Sequence, residues 1–334
     1  MTLTVFYTVI IVLAVAFVNG WTDAPNAIAS SVSTRTISMK KAVLLAAFSD
    51  FLGAVIIGTI NSNVTETLIN IAEFGTDEKT ALLSVSAAMT SVVLWAVFAW
   101  YFGIPTSESH ALIAGLSGAS VAVNNGFDGI KANEWSKVFY GLIVSVLVGF
   151  LLGYTLSKIT VRLFKNKERI KADKFFSKSQ IASSVFMSFM HGAQDAQKFV
   201  GVLLLIAKTS LNYENGKTHL PLLVLCSAVI AAGTATGGER IIKSVGMDML
   251  KLRKDQGFSA DLSGAICLLI STLSGFPVST THTKTSAVMG TGVAKSIKSV
   301  NWKVAGEMIA AWLLTFPGCG LLGWALCRVF LKVF

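Results

Sequence analysis

Apolar stretches long enough to cross a lipid bilayer recur along the whole chain of 334 residues. A helix needs roughly 20 consecutive apolar residues to span the hydrocarbon core. The predicted membrane segments are residues 4–31, 42–60, 81–102, 105–124, 137–159, 180–207, 219–236, 260–275, 276–294 and 304–330. The sequence therefore predicts an all-α polytopic membrane protein that lies in the lipid bilayer.

The composition excludes several other classes of protein. Charged residues make up 14% of the chain and hydrophobic residues 53%, whereas a soluble domain carries about 25% charged residues. An ordinary soluble enzyme and a disordered chain are therefore excluded. The net charge of +10 would suit a polyanionic partner. The basic residues lie in short loops between apolar segments, however, as in cytoplasmic loops of membrane proteins. No nucleic acid partner is expected.

Two polar motifs each occur twice, with the same spacing between the two copies. Residues 19–26 (NGWTDAPN) align with residues 191–198 (HGAQDAQK). Residues 103–110 (GIPTSESH) align with residues 275–282 (GFPVSTTH), and the shift in numbering is identical for both motifs. Two motifs related by one common shift, called the repeat offset below, indicate an internal repeat.

The predicted repeats are residues 1–159 and 180–334, joined by a linker at 160–179. The linker carries seven basic and two acidic residues and is expected in the cytoplasm. The loop at 61–80 carries four acids and one base, whereas the corresponding loop at 237–255 carries five bases. Corresponding loops are therefore expected on opposite sides. Each half has about five predicted segments. Because an odd number of crossings ends on the opposite side of the membrane, the second repeat is expected to be inverted. Inverted repeats with broken or re-entrant helices are typical of secondary transporters.

An acidic residue lies in the middle of a predicted span in each half. An ionisable group at this depth costs ~2.5–3.5 kcal/mol on insertion scales and is functional by default. In the first half, Gly20 and Pro25 flank Asp23 and should break the helix there. Backbone carbonyls that lose their helical partners next to a carboxylate can coordinate a small cation. The predicted Na⁺ ligands are Asp23, Asn26, Asp195 and Gln197. The alternative is a structural acid that bonds a neighbouring helix.

The second motif predicts a helix that begins inside the membrane. Pro favours the first helical turn, and Ser is a preferred N-cap. The free N–H groups and the helix dipole would favour an anion. The predicted anion ligands are Thr106, Ser107, Ser109, Gln194, Ser279, Thr280 and Thr281. His110 and His282 are interpreted as neutral donors that fix a loop, with proton relays as the alternative. The alternative is a pair of helix kinks whose hydroxyls bond their own helix.

Two further acids lie at or near membrane depth. Asp50 and Asp261 are candidate functional acids, and Asp50 is the better one, because the alternative for Asp261 is the start of a helix, where a carboxylate favours the dipole. An oxyanion alone in a low-dielectric site would be very costly. Anion sites together with carboxylate cation sites therefore indicate co-transport.

These motifs resemble those of the inorganic phosphate transporter (PiT) family. The resemblance runs in order through nearly the whole chain, over residues 19–35, 191–198, 233–246, 256–261, 277–282 and 311–317. It implies cation-coupled uptake of phosphate, with Na⁺ or H⁺ as the coupling ion. It also implies that Asp23, Asp50, Asp195 and Asp261 match functional acids of the family. Glu108 and Ser109 depart from the repeat, because the second half has two threonines there.

The predicted function is Na⁺-coupled symport of inorganic phosphate by alternating access, with Na⁺ as coupling ion and no other cofactor. The alternatives are an H⁺-coupled phosphate or sulfate permease and an anion channel of the same architecture. A channel is disfavoured, because the buried acids would repel an anion that passes without cations. An enzyme is not expected, since no nucleophile–base pair is present. The expected location is the inner membrane of a prokaryotic cell, with a homodimer as one compatible assembly.

Overall fold

The computed structural model describes residues 3–75, 77–102, 106–211, 220–236, 242 and 249–334. Its α-helices, numbered in chain order, are α1 Leu3–Thr22, α2 Pro25–Ser33, α3 Met39–Ile60, α4 Asn63–Ile69, α5 Glu78–Phe102, α6 Glu108–Asn124, α7 Ala132–Ile143, α8 Gly149–Phe164, α9 Arg169–Leu211, α10 Leu220–Ala235, α11 Lys254–Leu273, α12 Thr280–Lys295 and α13 Trp302–Val333. A π-helical turn, Val144–Val148, joins α7 to α8, and a 3₁₀ turn, Ile297–Ser299, precedes α13. Gly103, Pro105, Arg240, Lys243 and the glycines at 237, 238 and 246 lie outside the described residues.

The described helices confirm an all-α, polytopic membrane fold. Helices long and apolar enough to cross a membrane are Leu3–Ser33, Met39–Ile60, Glu78–Phe102, Ala132–Phe164, Lys254–Leu273 and Trp302–Val333. Large apolar side chains such as Leu44, Phe98 and Leu321 face outward, whereas many polar side chains are buried inside. An apolar exterior suits contact with lipid, since the bilayer core offers no partners for polar groups.

Two helices differ from these spans because they are buried along nearly their whole length. Helix α6 begins at Glu108 and α12 begins at Thr280, and almost every residue of both is buried. Each begins directly after the serine of its Pro-x-Ser motif, as the sequence predicts. Both helices therefore start inside the protein, at the depth of the candidate site.

The predicted break in the first helix is confirmed. Helix α1 ends at Thr22 and α2 begins at Pro25, which has no N–H to continue the helical bonding. The Asn19 carbonyl accepts hydrogen bonds from the N–H groups of Asp23 at 2.8 Å and Ala24 at 3.4 Å. In the second half Gln197 stands in place of Pro25, and α9 continues without interruption. Only the first motif therefore lies at a helix break.

Helix boundaries and helix packing both follow the repeat offset of the motifs. When residue 23 is placed on residue 195, α5, α6 and α7–α8 fall on α11, α12 and α13. Helix α6 packs on α13, and its counterpart α12 packs on α8. In the same way α1 packs on α10, and α9 packs on α3. Helices of the first half thus pack against helices of the second half, and the candidate site lies between the two halves. The domain limits 1–159, 160–179 and 180–334 stay a prediction, and most of the 160–179 linker is helical.

The inverted arrangement can be tested by labelling single cysteines in two exposed loops. Asn70 lies in the acidic loop and Lys251 in its basic counterpart, and both are exposed. We expect Asn70→Cys to react with a membrane-impermeant maleimide from outside the cell and Lys251→Cys only from inside. The unmodified protein is the control, because its four cysteines are buried. Reaction of both positions from the same side would contradict an inverted repeat.

Candidate functional site

The acids of the two repeated motifs meet in the middle of the protein. One ligand atom each from Asp23, His191 and Asp195 lie within 4.8 Å of one another, and all three residues are buried. Asp23 lies at the break between α1 and α2, and Asp195 lies in the middle of α9. The structure therefore brings together two acids that belong to different halves of the chain.

The described side chains that donate hydrogen bonds to Asp23 are all neutral. Thr280 donates to its Oδ2 at 2.9 Å, and Thr281 donates to its Oδ1. The Asn26 amide donates to the same Oδ1 at 2.8 Å, while the buried amide oxygen of Asn26 has no partner among the described residues. No ion pair joins Asp23 to any described basic residue within 4.0 Å. A carboxylate among hydroxyl and amide oxygens is a suitable site for a hard cation such as Na⁺.

A charged group, in contrast, binds Asp195. The Lys198 Nζ donates to Asp195 Oδ1 at 2.6 Å. The same ammonium donates to the Ser109 hydroxyl and to the Val278 carbonyl, the latter at 2.8 Å. Asn19 Nδ2 donates to Asp195 Oδ2 at 2.9 Å. Asp195 therefore carries a built-in counter-charge. Sequence reasoning missed Lys198 as a site residue.

His191 connects Asp195 to Asp50. The Nε2 of His191 lies 3.5 Å from Asp195 Oδ2, and its Nδ1 lies 3.3 Å from Asp50 Oδ1. Thr234 donates to Asp50 Oδ2 at 3.0 Å. This approach depends on Gly192, because a Cβ there would lie 2.0 Å from the Asp50 carbonyl oxygen. Asp50 thus belongs to the same buried network, and His191 connects it to Asp195.

The two buried helix N-termini meet beside the acids. Ser107 Oγ accepts from the His110 N–H, and Ser279 Oγ accepts from the His282 N–H, both at 3.2 Å. The rings of His110 and His282 lie 4.5 Å apart, centre to centre. The first N–H groups of a helix have no partner within it, so two sets of free donors converge here. Both serines are N-caps, and no described residue accepts a hydrogen bond from either hydroxyl, which can therefore donate to a ligand. Thr106 lies half-buried directly before the α6 cap.

The other predicted ligands divide into two groups. The hydroxyls of Ser109, Thr280 and Thr281 bond the cluster around Asp23 and Asp195. Two glutamines of α9 bond groups elsewhere. Gln194 donates to the Phe276 carbonyl at 2.8 Å and accepts from Thr272 at 2.5 Å. Gln197 donates to the Ala193 carbonyl of its own helix at 3.2 Å. Neither glutamine bonds a carboxylate within the part of the chain described here.

Glu108 is a further buried acid that sequence reasoning missed. It is the first residue of α6 and is only 4% exposed. The Thr22 hydroxyl donates to its Oε1, whereas its Oε2 has no partner among the described residues. A carboxylate at a helix N-terminus is stabilised by the helix dipole. Its departure from the repeat, where the second half has Thr280, is the signal that could have found it.

The alternative that Asp261 starts a helix is wrong, and its role as a functional acid stays a prediction. Helix α11 begins at Lys254, and Asp261 lies about two turns inside it, fully buried. The Lys284 ammonium and the Ser30 hydroxyl donate to its Oδ1, and Ser184 donates to its Oδ2 at 2.5 Å. The carboxylate therefore forms a buried ion pair between helices. Sequence reasoning also missed Lys284.

Comparison with known proteins supports the resemblance found in the sequence. Residues 19–323 match the model of a family described as the phosphate transporter family. The chain is 35% identical over 317 residues to a probable low-affinity inorganic phosphate transporter of Bacillus subtilis (strain 168), covering 94% of this chain and 93% of that protein. It is 38% identical over 314 residues to a protein of the same description from Rhizobium meliloti (strain 1021), covering 93% and 91%.

A solved structure has the same fold. It is described as the sodium-dependent phosphate transporter, and it matches with a TM-score of 0.89 and 22% identity over 100% of both chains. The matched relatives named above are bacterial, in agreement with a prokaryotic membrane location. The protein is a membrane transporter and not an enzyme, and it belongs to the phosphate transporter family.

Proposed function

We propose that the protein carries inorganic phosphate across the membrane together with Na⁺, by alternating access of two inverted repeats. The observation that carries this proposal is the position of Asp23. Among the described residues this buried carboxylate has only neutral hydrogen-bond partners, and it lies beside two converging helix N-termini. A cation site and an anion site therefore share residues.

The charges of the buried network explain why a cation is needed. The buried network contains four carboxylates but two basic side chains. The carboxylates are those of Asp23, Asp50, Asp195 and Glu108, and the basic side chains are Lys198 and His191. Adding an oxyanion would increase the excess of negative charge in a region of low dielectric constant, where unpaired charge is very costly. A bound Na⁺ at Asp23 offsets this charge. Phosphate should therefore bind only when a cation is bound.

The anion should lie between the N-termini of α6 and α12. Free N–H groups and the positive ends of two helix dipoles favour a bound oxyanion, and the Ser and Thr hydroxyls nearby add neutral donors. At neutral pH phosphate still carries a proton that it can donate to a carboxylate, whereas sulfate does not. The acids around this position therefore favour phosphate over sulfate. The bacterial relatives are described as phosphate transporters and the protein of similar fold as a sodium-dependent one, which supports this substrate and this cation.

Uptake of radiolabelled phosphate into proteoliposomes tests the proposal. We expect accumulation that is driven by an imposed Na⁺ gradient, is absent with K⁺ in its place, and is little reduced by excess sulfate. Uptake that needs an H⁺ gradient instead would indicate a proton-coupled permease. Flux that needs no cation gradient would indicate a channel.

The two capping serines should contribute to phosphate affinity. Replacing Ser107 or Ser279 with Ala removes one donor, and a hydrogen bond to a charged group is worth roughly 1.5–3 kcal/mol. We therefore expect apparent phosphate affinity to weaken by about ten- to a hundredfold in either variant. Saturation curves of uptake would measure this. Ser→Thr variants, which keep the hydroxyl and the cap, are the controls. Unchanged affinity in both Ala variants would show that the serines only cap the helices.

A further inference from the structure

The two halves of the site make the same contacts through different residues. The positions related by the repeat offset are Asp23 and Asp195, Asn26 and Lys198, and Ser109 and Thr281. In one half the Asn26 amide donates to Asp23 at 2.8 Å and to Thr281 at 3.1 Å. In the other half the Lys198 ammonium donates to Asp195 at 2.6 Å and to Ser109. An equivalent position thus holds a neutral amide beside one acid and a positive charge beside the other.

We propose that Lys198 is a built-in cation that takes the place of one of two Na⁺ ions, so that this transporter uses one Na⁺ per phosphate, bound at Asp23. This inference rests on the proposed function and adds the number of coupling ions to it. A site with two repeat-related carboxylates has room for two cations. In this protein the chain itself supplies one of them.

The surroundings of Lys198 match those of a bound metal ion. Its Nζ touches a carboxylate oxygen of Asp195, the hydroxyl oxygen of Ser109 and the carbonyl oxygen of Val278. These are the oxygen types that coordinate Na⁺ in transporters. The lysine is 2% exposed, and its ammonium is a compact positive charge. A second cation at Asp195 would have to compete with this ammonium for the same oxygens.

Among the described residues no ammonium group contacts Asp23, and His191, whose ligand atom lies within 4.8 Å of it, forms ion pairs only with Asp50 and Asp195. Asn26 reaches the same two types of partner but brings no positive charge, and its buried Oδ1 has no partner in the described parts of the chain. Asn19 contacts both acids, through its amide to Asp195 and through its backbone carbonyl, which accepts from the Asp23 N–H, and its buried side-chain Oδ1 has no partner among the described residues. Unpaired oxygens beside an unpaired carboxylate are ready ligands for one cation. The carboxylate that still needs a positive charge is therefore Asp23 and not Asp195.

Replacing Lys198 with Asn tests the inference, because Asn is the residue at the equivalent position 26 of the first half. The variant then has a neutral amide beside both acids. In proteoliposomes we expect the ratio of radiolabelled sodium to radiolabelled phosphate taken up to be one for the wild type and two for Lys198→Asn. The dependence of uptake on Na⁺ concentration should become steeper as well. Lys171→Asn is the matched control, since this lysine lies on the same helix α9 but is exposed; its ratio should stay at one.

Binding of radiolabelled sodium to the purified full-length protein keeps the test decisive if Lys198→Asn does not transport. We expect this variant to bind one more Na⁺ per chain than the wild type, with phosphate present. A wild-type flux ratio of two, or equal sodium binding by both proteins, overturns the inference. Failure of the proposed function looks different, because the wild type would then show no sodium-driven phosphate uptake at all. The comparison of sodium binding between the two proteins would still decide the role of Lys198.

Discussion

Replacing Asp23 with Asn is expected to abolish Na⁺-driven phosphate uptake while the protein stays folded. The substitution keeps the shape of the side chain and removes the charge that holds the cation. Removing one partner of a buried ionic pair costs about 3–5 kcal/mol, which corresponds to a loss of roughly two to four orders of magnitude in Na⁺ affinity. Folding should change little, because the partners of Asp23 are the neutral groups of Asn26, Thr280 and Thr281. Uptake and thermal unfolding in detergent would measure the two effects.

Asp195→Asn is the informative comparison for this variant. It should abolish uptake as well, but it also leaves the buried Lys198 ammonium without its carboxylate. We therefore expect Asp195→Asn to be destabilised by about 3–5 kcal/mol in addition. Added Na⁺ should raise the unfolding temperature of the wild type, since a ligand that binds only the folded state stabilises it. It should not raise that of Asp23→Asn. Normal Na⁺-dependent uptake by Asp23→Asn would remove this acid from the cation site.

Most of the fold could be predicted from the sequence because membrane helices are encoded locally. A run of apolar residues marks a span, and the serine of a Pro-x-Ser motif marks where a buried helix begins. The predicted segment 304–330, for example, lies within α13. The structure of the linker at 160–179 was harder to predict. Its many charged residues are typical of a loop, but part of it forms the start of a helix that continues into the membrane. Arg169–Leu211 forms one helix of 43 residues, which contains no proline to end it.

The partners of the acids could not be predicted in the same way. Contacts such as that of Lys198 with Ser109, which are distant in the sequence, form only because α9 packs between helices of both halves. His191 and Glu108 become site residues for the same reason. Lys198 lies inside the predicted segment 180–207, but the segment alone does not show which acid a buried lysine contacts. The repeat itself held the missing signal, since the repeat offset pairs Lys198 with Asn26.

The same offset leads to a prediction about the buried pair of Asp261 and Lys284. Its counterparts in the first half are Met89 and Leu112, which lie buried in one apolar cluster. Breaking a buried ion pair by removing one partner costs about 3–5 kcal/mol, whereas replacing both partners with apolar groups is often neutral or stabilising. We therefore expect Lys284→Leu alone to be strongly destabilised. The double variant Asp261→Met with Lys284→Leu should unfold close to the wild-type temperature.

Transport by the double variant then separates structure from function. Within the described parts of the chain, both oxygens of Asp261 are bonded, by Lys284, Ser30 and Ser184, so its charge is balanced without a transported ion. For this reason we expect the folded double variant to keep Na⁺-dependent phosphate uptake. Asp261→Asn alone is the matched single variant, because it leaves Lys284 buried and unpaired. A double variant that is as stable as the wild type but does not transport would instead place Asp261 among the acids that the moving ion uses.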